Sequence, residues 1–250
     1  MKLKSFLYIA AALVIALPAC KKDNFDAPSS VLKGRIVYNG QVLGVRTPTV
    51  NASGGTTTGG VQLELWQYGY QLFTKIPVYV NQDGTFSASL FNGNYKLVRL
   101  GGAPWQNNTD SIDIKLDGTM DIDVPVVPFF TVTNASYTFN KADSSITGTF
   151  TVNNVVAGRT LEVASLSVGP TTFVDVVNQV VNRDQGVAVG TQVSLVISVR
   201  PSNYPGDAQK ARRETLAAML NKGYAYVRIG AKTTGIGERI YSTVQKIDLK

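Results

Sequence analysis

The sequence predicts an all-β chain: two β-sandwich domains, with one helix inserted in the second. Three observations carry that expectation. Apolar and polar residues alternate in many short runs, the period of a strand with one buried face. Turn dipeptides such as Asn39-Gly40, Asp83-Gly84 and Asn92-Gly93 separate the runs. Only residues 208–221 read as a helix, by propensity rather than by period.

At the amino end, Lys2 and Lys4 precede an apolar run over residues 6–17. That run has the length of a secretory signal and is too short to cross a bilayer. Leu17-Pro18-Ala19-Cys20 follows and resembles a bacterial lipobox. The resemblance implies cleavage before Cys20, a diacylglycerol on its thiol and an acyl group such as palmitate on the new amine. Residues 1–19 are then a signal peptide, and Cys20 is the lipid attachment that holds the protein to a membrane. Several acyl chains anchor far more firmly than one. Residues 20–30 are polar and read as a tether.

Residues 31–127 form the first expected sandwich. Leu32, Gly34, Ile36 and Tyr38 alternate with Lys33, Arg35 and Val37. Residues 51–60, NASGGTTTGG, are of low complexity and read as a loop. In VQLELWQYGY, Val61, Leu63 and Leu65 take one strand face, and Gln62, Glu64, Trp66, Tyr68 and Tyr70 the other. Further strands are expected over 71–80, 85–90, 94–100 and 111–125. The stretches Gly34-Arg35-Ile36-Val37, Asp83-Gly84-Thr85-Phe86 and Gly93-Asn94-Tyr95-Lys96-Leu97 resemble the carboxypeptidase-regulatory, prealbumin-like sandwich. The likeness implies a fold, not an activity.

Pro125 and Pro128 bracket an expected linker into residues 128–250. Seven strand-like runs follow: FTVTNASYTFN, SSITGTFTVNN, TLEVASLSVG, TTFVDVVN, TQVSLVISVR, GYAYVRIGAKT and ERIYSTVQKIDL. That count and spacing suggest an immunoglobulin-like or fibronectin-like sandwich. Before the penultimate run, Gly206-Asp207 offers a helix start and Gly223 a stop, with Leu216, Met219 and Leu220 on one face.

Composition excludes much chemistry. The chain has no histidine and one cysteine. With Cys20 acylated, no thiol remains for a disulfide, a metal site or a nucleophile. Serine triads and nearly all zinc sites need histidine. The net charge of +7 includes Lys2 and Lys4 of the signal, and the remaining charges are scattered. No basic stripe with interleaved aromatics points to nucleic acid. Asp121 and Asp123, near Asp113 and Asp117, could in principle serve glycoside hydrolysis or calcium. Alternation with Ile122 and Val124 places them instead on the solvent face of an edge strand. Gly235-Ile236-Gly237 lacks the lysine and helix of a phosphate cradle. The expectation is a non-enzyme with no cofactor or metal.

The whole mature chain resembles one family. Its lipobox cysteine and NFDAPSSVLKGRIV, its DGTF and NGNYKL stretches, its DIKLDGTMDIDVPVVPFF join and its closing YVRIGAKTTG and YSTVQKIDL are similar to the two-part family of unknown function numbered 3823. The resemblance implies an outer-membrane lipoprotein of a double-membrane bacterium. It also implies a place beside starch-utilisation-type uptake systems, with a TonB-dependent complex as partner and a polysaccharide or oligosaccharide as ligand. No site residues come with it. Sugars offer apolar C–H faces and many hydroxyls, so Trp66, Tyr68 and Tyr70 on one strand face, and Trp105 in GGAPWQNNTD, are the candidate ligand-binding residues. The alternative is a scaffold subunit of the uptake complex with no ligand of its own.

Overall fold

A computed structural model describes residues 27–50, 57–69 and 74–250. The signal segment and Cys20 lie outside the described residues. In chain order the first half holds β1 (Ser30–Tyr38), β2 (Gln41–Val42), β3 (Thr49–Val50), β4 (Thr57–Thr58), β5 (Gln62–Gln67), β6 (Lys75–Tyr79), β7 (Thr85–Leu90), β8 (Gly93–Arg99), β9 (Ser111–Leu116) and β10 (Thr119–Pro125). The second half holds β11 (Phe130–Asn140), β12 (Ser145–Asn154), β13 (Leu161–Gly169), β14 (Val181–Gln185), β15 (Gln192–Ser198), α1 (Lys210–Lys222), β16 (Tyr224–Thr233), β17 (Arg239–Tyr241) and β18 (Gln245–Asp248). The fold is all-β with two sandwiches and one α-helix among the described residues.

In the first half, β1 is central. It pairs with β10 in parallel and with β7 and β2 antiparallel. The second sheet runs β6-β5-β8-β9, and β3 pairs with β4 as a small ribbon. Leu32, Ile36, Phe86 and Val124 from one sheet meet Leu63, Leu65, Tyr95 and Leu97 from the other in a buried core. Gly34 sits in register with both Phe86 and Ile122. A β-carbon there would strike the Phe86 ring and lie 2.6 Å from the Ile122 carbonyl oxygen. The Gly-Arg-Ile-Val stretch therefore needs its glycine for close approach.

In the second half, β11-β12-β15 faces β14-β13-β16-β17, with β18 also on β16. Ile146, Phe150, Val152, Leu195 and Ile197 pack on Ala164, Leu166, Val168, Val227 and Ile229. Helix α1 buries Leu216 and Met219. No side-chain cap starts it; a 3-10 turn, Asp207–Gln209, leads into it instead. Gly223 ends it at φ 78°, its N–H reaching the carbonyls of Met219 and Leu220. The left-handed conformation at that point favours glycine.

Four expectations change. Residues 111–125 are two strands, not one, because Gly118 at φ 79° turns the chain between β9 and β10. TTFVDVVN is a loop, and its strand place is taken by β14 further along. ERIYSTVQKIDL is split into β17 and β18. The expected linker is packed: Val126 and Phe129 are buried, the Gln106 N–H donates to Val127 and the Phe129 N–H to Pro104.

The halves meet closely. The Tyr241 N–H donates to the Gly44 carbonyl at 2.9 Å. Arg228, 1% exposed, donates to the carbonyls of Ser242 (2.7 Å), Val45 (2.9 Å) and Gln82 (2.5 Å). One connected cluster of buried apolar residues spans both halves.

Candidate functional site

The outer face of β6-β5-β8-β9 carries the aromatic residues of the VQLELWQYGY run. Leu63 and Leu65 point into the core, so Gln62, Glu64, Trp66 and Tyr68 point out. Registration fixes their neighbours. Gln62 lies opposite Tyr79, Glu64 opposite Pro77 and Val98, and Trp66 between Lys75 and Lys96. Lys75 donates to the Glu64 carboxylate at 2.7 Å, which satisfies an otherwise largely buried anion. Lys96 lies 3.4 Å from Asp113 and 5.7 Å from the Tyr68 ring centre. The hydrogen bond to Tyr68, then that to Asp113, holds the Lys96 ammonium above its ordinary pKa. Both lysines are thus drawn sideways along the sheet. Trp66 is half-buried, while Tyr68 and Tyr79 are 41% and 40% exposed. From Gln62 to Tyr68 the face extends about 20 Å.

At its Gln62 and Tyr79 end the face runs into a cleft of about 240 Å³. Leu100 and the glycine pairs Gly59-Gly60 and Gly101-Gly102 line it, and the second half contributes Glu238. The Glu238 carboxylate is committed. Arg46 clamps it through Nε at 3.2 Å and a terminal nitrogen at 2.7 Å, and the Gly60 N–H donates at 2.8 Å. The hydrogen bond from Arg46 to Glu238 is the main reason the Arg46 guanidinium lies above its ordinary pKa. The cleft is therefore walled by both domains and floored by a neutralised ion pair.

Of the expected ligand residues, Trp66 and Tyr68 share this face and Tyr70 falls outside the described residues. Trp105 requires correction. It is 2% exposed and part of the core, held by a bridge between its own loop and Pro128. Its indole N–H is buried without a hydrogen-bond partner, so the ring presents no surface to a ligand. Tyr79, Gln62 and Glu238 were not among the expected residues. Tyr79 was legible, since it alternates with Val78 and Val80 and so shares the outward parity of Lys75. Glu238 was not, because only the domain interface brings it to the cleft. Among the described residues no cluster of three His, Cys, Asp or Glu side chains could hold a metal.

Two family models cover this architecture. Residues 30–127 match the N-terminal domain of a protein family of unknown function, DUF3823, and residues 130–246 match its C-terminal domain of unknown function. The chain belongs to the DUF3823 family. A solved DUF3823 structure from Bacteroides ovatus is 33% identical, with a TM-score of 0.71, and covers 88% of this chain and 100% of its own. Another DUF3823 structure, from Parabacteroides merdae, is 31% identical, with a TM-score of 0.73, and covers 89% of this chain and 100% of its own. A third structure, from Bacteroides uniformis and described as a candidate carbohydrate-binding protein, is 17% identical, with a TM-score of 0.64, and covers 89% of this chain and 100% of its own. None of the curated proteins matches the chain. In this DUF3823 chain the outward aromatic face offers stacking surface and hydrogen-bond groups in alternation.

Proposed function

We propose that this DUF3823 chain is a non-catalytic cell-envelope lipoprotein that binds polysaccharide as an accessory of an outer-membrane uptake complex. The observation that carries the reading is the strip of Tyr68, Trp66 and Tyr79 across one solvent-facing sheet, ending in the interdomain cleft. Rings on a flat strand face stack on the C–H faces of sugars, and Lys75, Lys96 and Gln62 beside them supply polar contacts. The fold relative described as a candidate carbohydrate-binding protein lends an architecture to the reading, not an activity. Binding without catalysis suits the cleft, where the Glu238 carboxylate is occupied by Arg46 and Gly60. Cys20 as an acylated first residue gives the membrane anchor, and the TonB-dependent complex is the proposed partner.

The test uses residues 21–250, which contain every described residue, run through gels holding neutral plant, host and microbial polysaccharides. The chain has two tryptophans, and Trp105 is enclosed. A ligand-dependent change in tryptophan emission therefore reports Trp66. Retardation by one neutral polymer with an emission shift, both lost in Trp66→Ala, is expected. Absence of retardation with every polymer would replace this reading with the scaffold one, for which the burial of Trp105 already counts.

A further inference from the structure

A second concavity lies in the other half, between α1 and the loop joining β13 to β14. The loop is firmly held. Asp175, 1% exposed, accepts the N–H groups of Val177 (2.8 Å) and Asn178 (2.9 Å) on one oxygen, and the Asn178 amide on the other at 3.0 Å. The Gln82 amide, from the first half, donates to the Thr172 carbonyl at 2.7 Å. Val174 is fully buried beneath the loop. Despite this bracing, Phe173 is 59% exposed, the most exposed of the large apolar residues described. A rigid loop that presents a large ring to water has already met the ordering cost of a binding surface.

Across from Phe173 stand Arg212 and Thr215 of α1, enclosing about 500 Å³ together with Asn178 and Gln179. A further 380 Å³ continues along the helix to Lys222. Between Arg212 and Lys222 the helix rises about 15 Å. Two groups here lack the partners their chemistry asks for. The Gln179 side-chain oxygen is buried with no hydrogen-bond donor, a condition rare in folded proteins and costly unless a ligand or water answers it. Arg212 pairs with no carboxylate among the described residues. One of its terminal nitrogens donates to Gln209 at 2.7 Å, and the guanidinium lies 5.4 Å from the Tyr204 ring centre. Those contacts steady the guanidinium at the rim and leave most of its five N–H groups unused. Glu214 lines the extension beside Lys222, and its carboxylate is shared with Lys210 at 3.9 Å.

We propose that this groove is a binding site for an acidic sugar, independent of the aromatic sheet face. Its carboxylate takes the Arg212 fork, its C–H face lies on Phe173, and a ring hydroxyl donates to the Gln179 oxygen once that amide turns out toward the groove. Lys222 extends the site to a second acidic residue of the same chain. An acidic peptide would satisfy Arg212 and Lys222, but offers no rigid C–H face bearing hydroxyls for Phe173 and Gln179.

Residues 21–250 are run through gels holding polygalacturonate, neutral dextran or polyglutamate, with Kd measured by calorimetry for short galacturonate oligomers. Retardation by polygalacturonate alone is expected. Arg212→Ala should weaken binding at least tenfold and Phe173→Ala about tenfold. Lys141→Ala, which removes a charge from the turn between β11 and β12, outside the groove lining, should leave it unchanged, as should Trp66→Ala. Phe173 is exposed and each variant is first checked for an unchanged thermal midpoint. No retardation, equal losses in Arg212→Ala and Lys141→Ala, or equal retention by polyglutamate would each overturn the proposal. Loss of acidic binding in Trp66→Ala would move the ligand to the sheet face and sink the groove, while the neutral-polymer test of that face stands separately.

Discussion

Arg228 ties the two halves together through a single buried side chain. It is buried, stacks 4.5 Å over the Tyr241 ring and supplies three carbonyls from two domains. Burial pulls its pKa down to about 10, so it stays charged at neutral pH. Arg228→Met leaves those carbonyls without donors and should cost about 3 kcal/mol in urea unfolding. Arg228→Lys should recover only part, since one ammonium cannot reach three divergent acceptors. Asp123 behaves differently. Its hydrogen bond from Arg35 holds it below the usual carboxylate range. A depressed carboxylate adds stability above its unfolded pKa and loses it as pH falls through the folded one. Because the pair is exposed, the effect belongs to the titration curve rather than to stability. NMR titration should find Asp123 returning to its ordinary value in Arg35→Gln. The two tryptophans mark what residue patterns reveal. Alternation with Leu63 and Leu65 set the side of Trp66. Trp105 sits in a loop with no period, and it is the bridge to Pro128 in the join between the halves that accompanies its burial.

At the scale of elements, strands that alternate were legible, and their ends were not. The break between β9 and β10 depends on Gly118 adopting a positive φ, which nothing in the alternation announces. TTFVDVVN imitates a strand by composition, yet Asp175 gathers its backbone N–H groups and folds it into a loop. That folding lifts Phe173 to the surface, so the groove was invisible in the sequence for the same reason the strand was misplaced. The alternation put Gly34 on the same face as Leu32 and Ile36, but the close approach of Phe86 and β10 to it came only with the pairing of strands distant in sequence. Gly34→Ala should lower stability by about 2 kcal/mol through the clash with Phe86 and the Ile122 carbonyl. Gly223→Ala should cost about 1 kcal/mol by forcing a β-carbon into the left-handed region. Thermal unfolding checks both, and equal stability of either variant with the parent would refute the stated strain.

For the whole molecule, the division into halves was legible, but their union was not. The contacts that join them come from loops and strand ends: Val45, Gln82, Thr172, Glu238 and Tyr241. With the core continuous across them, calorimetry should record one unfolding transition. Combining Arg228→Met with Glu238→Ala should split it in two.

The pairing of β1 with β10 has a mechanical consequence. These strands run side by side in the same direction over seven registered positions. The chain enters β1 at Ser30, beside Gly118, and leaves β10 at Pro125 for the second half. Tension between a fixed amino end and a cargo gripped by the second half would enter one strand and leave the other at opposite ends. Such tension slides the strands lengthwise, so the ladder must yield all at once rather than one rung at a time.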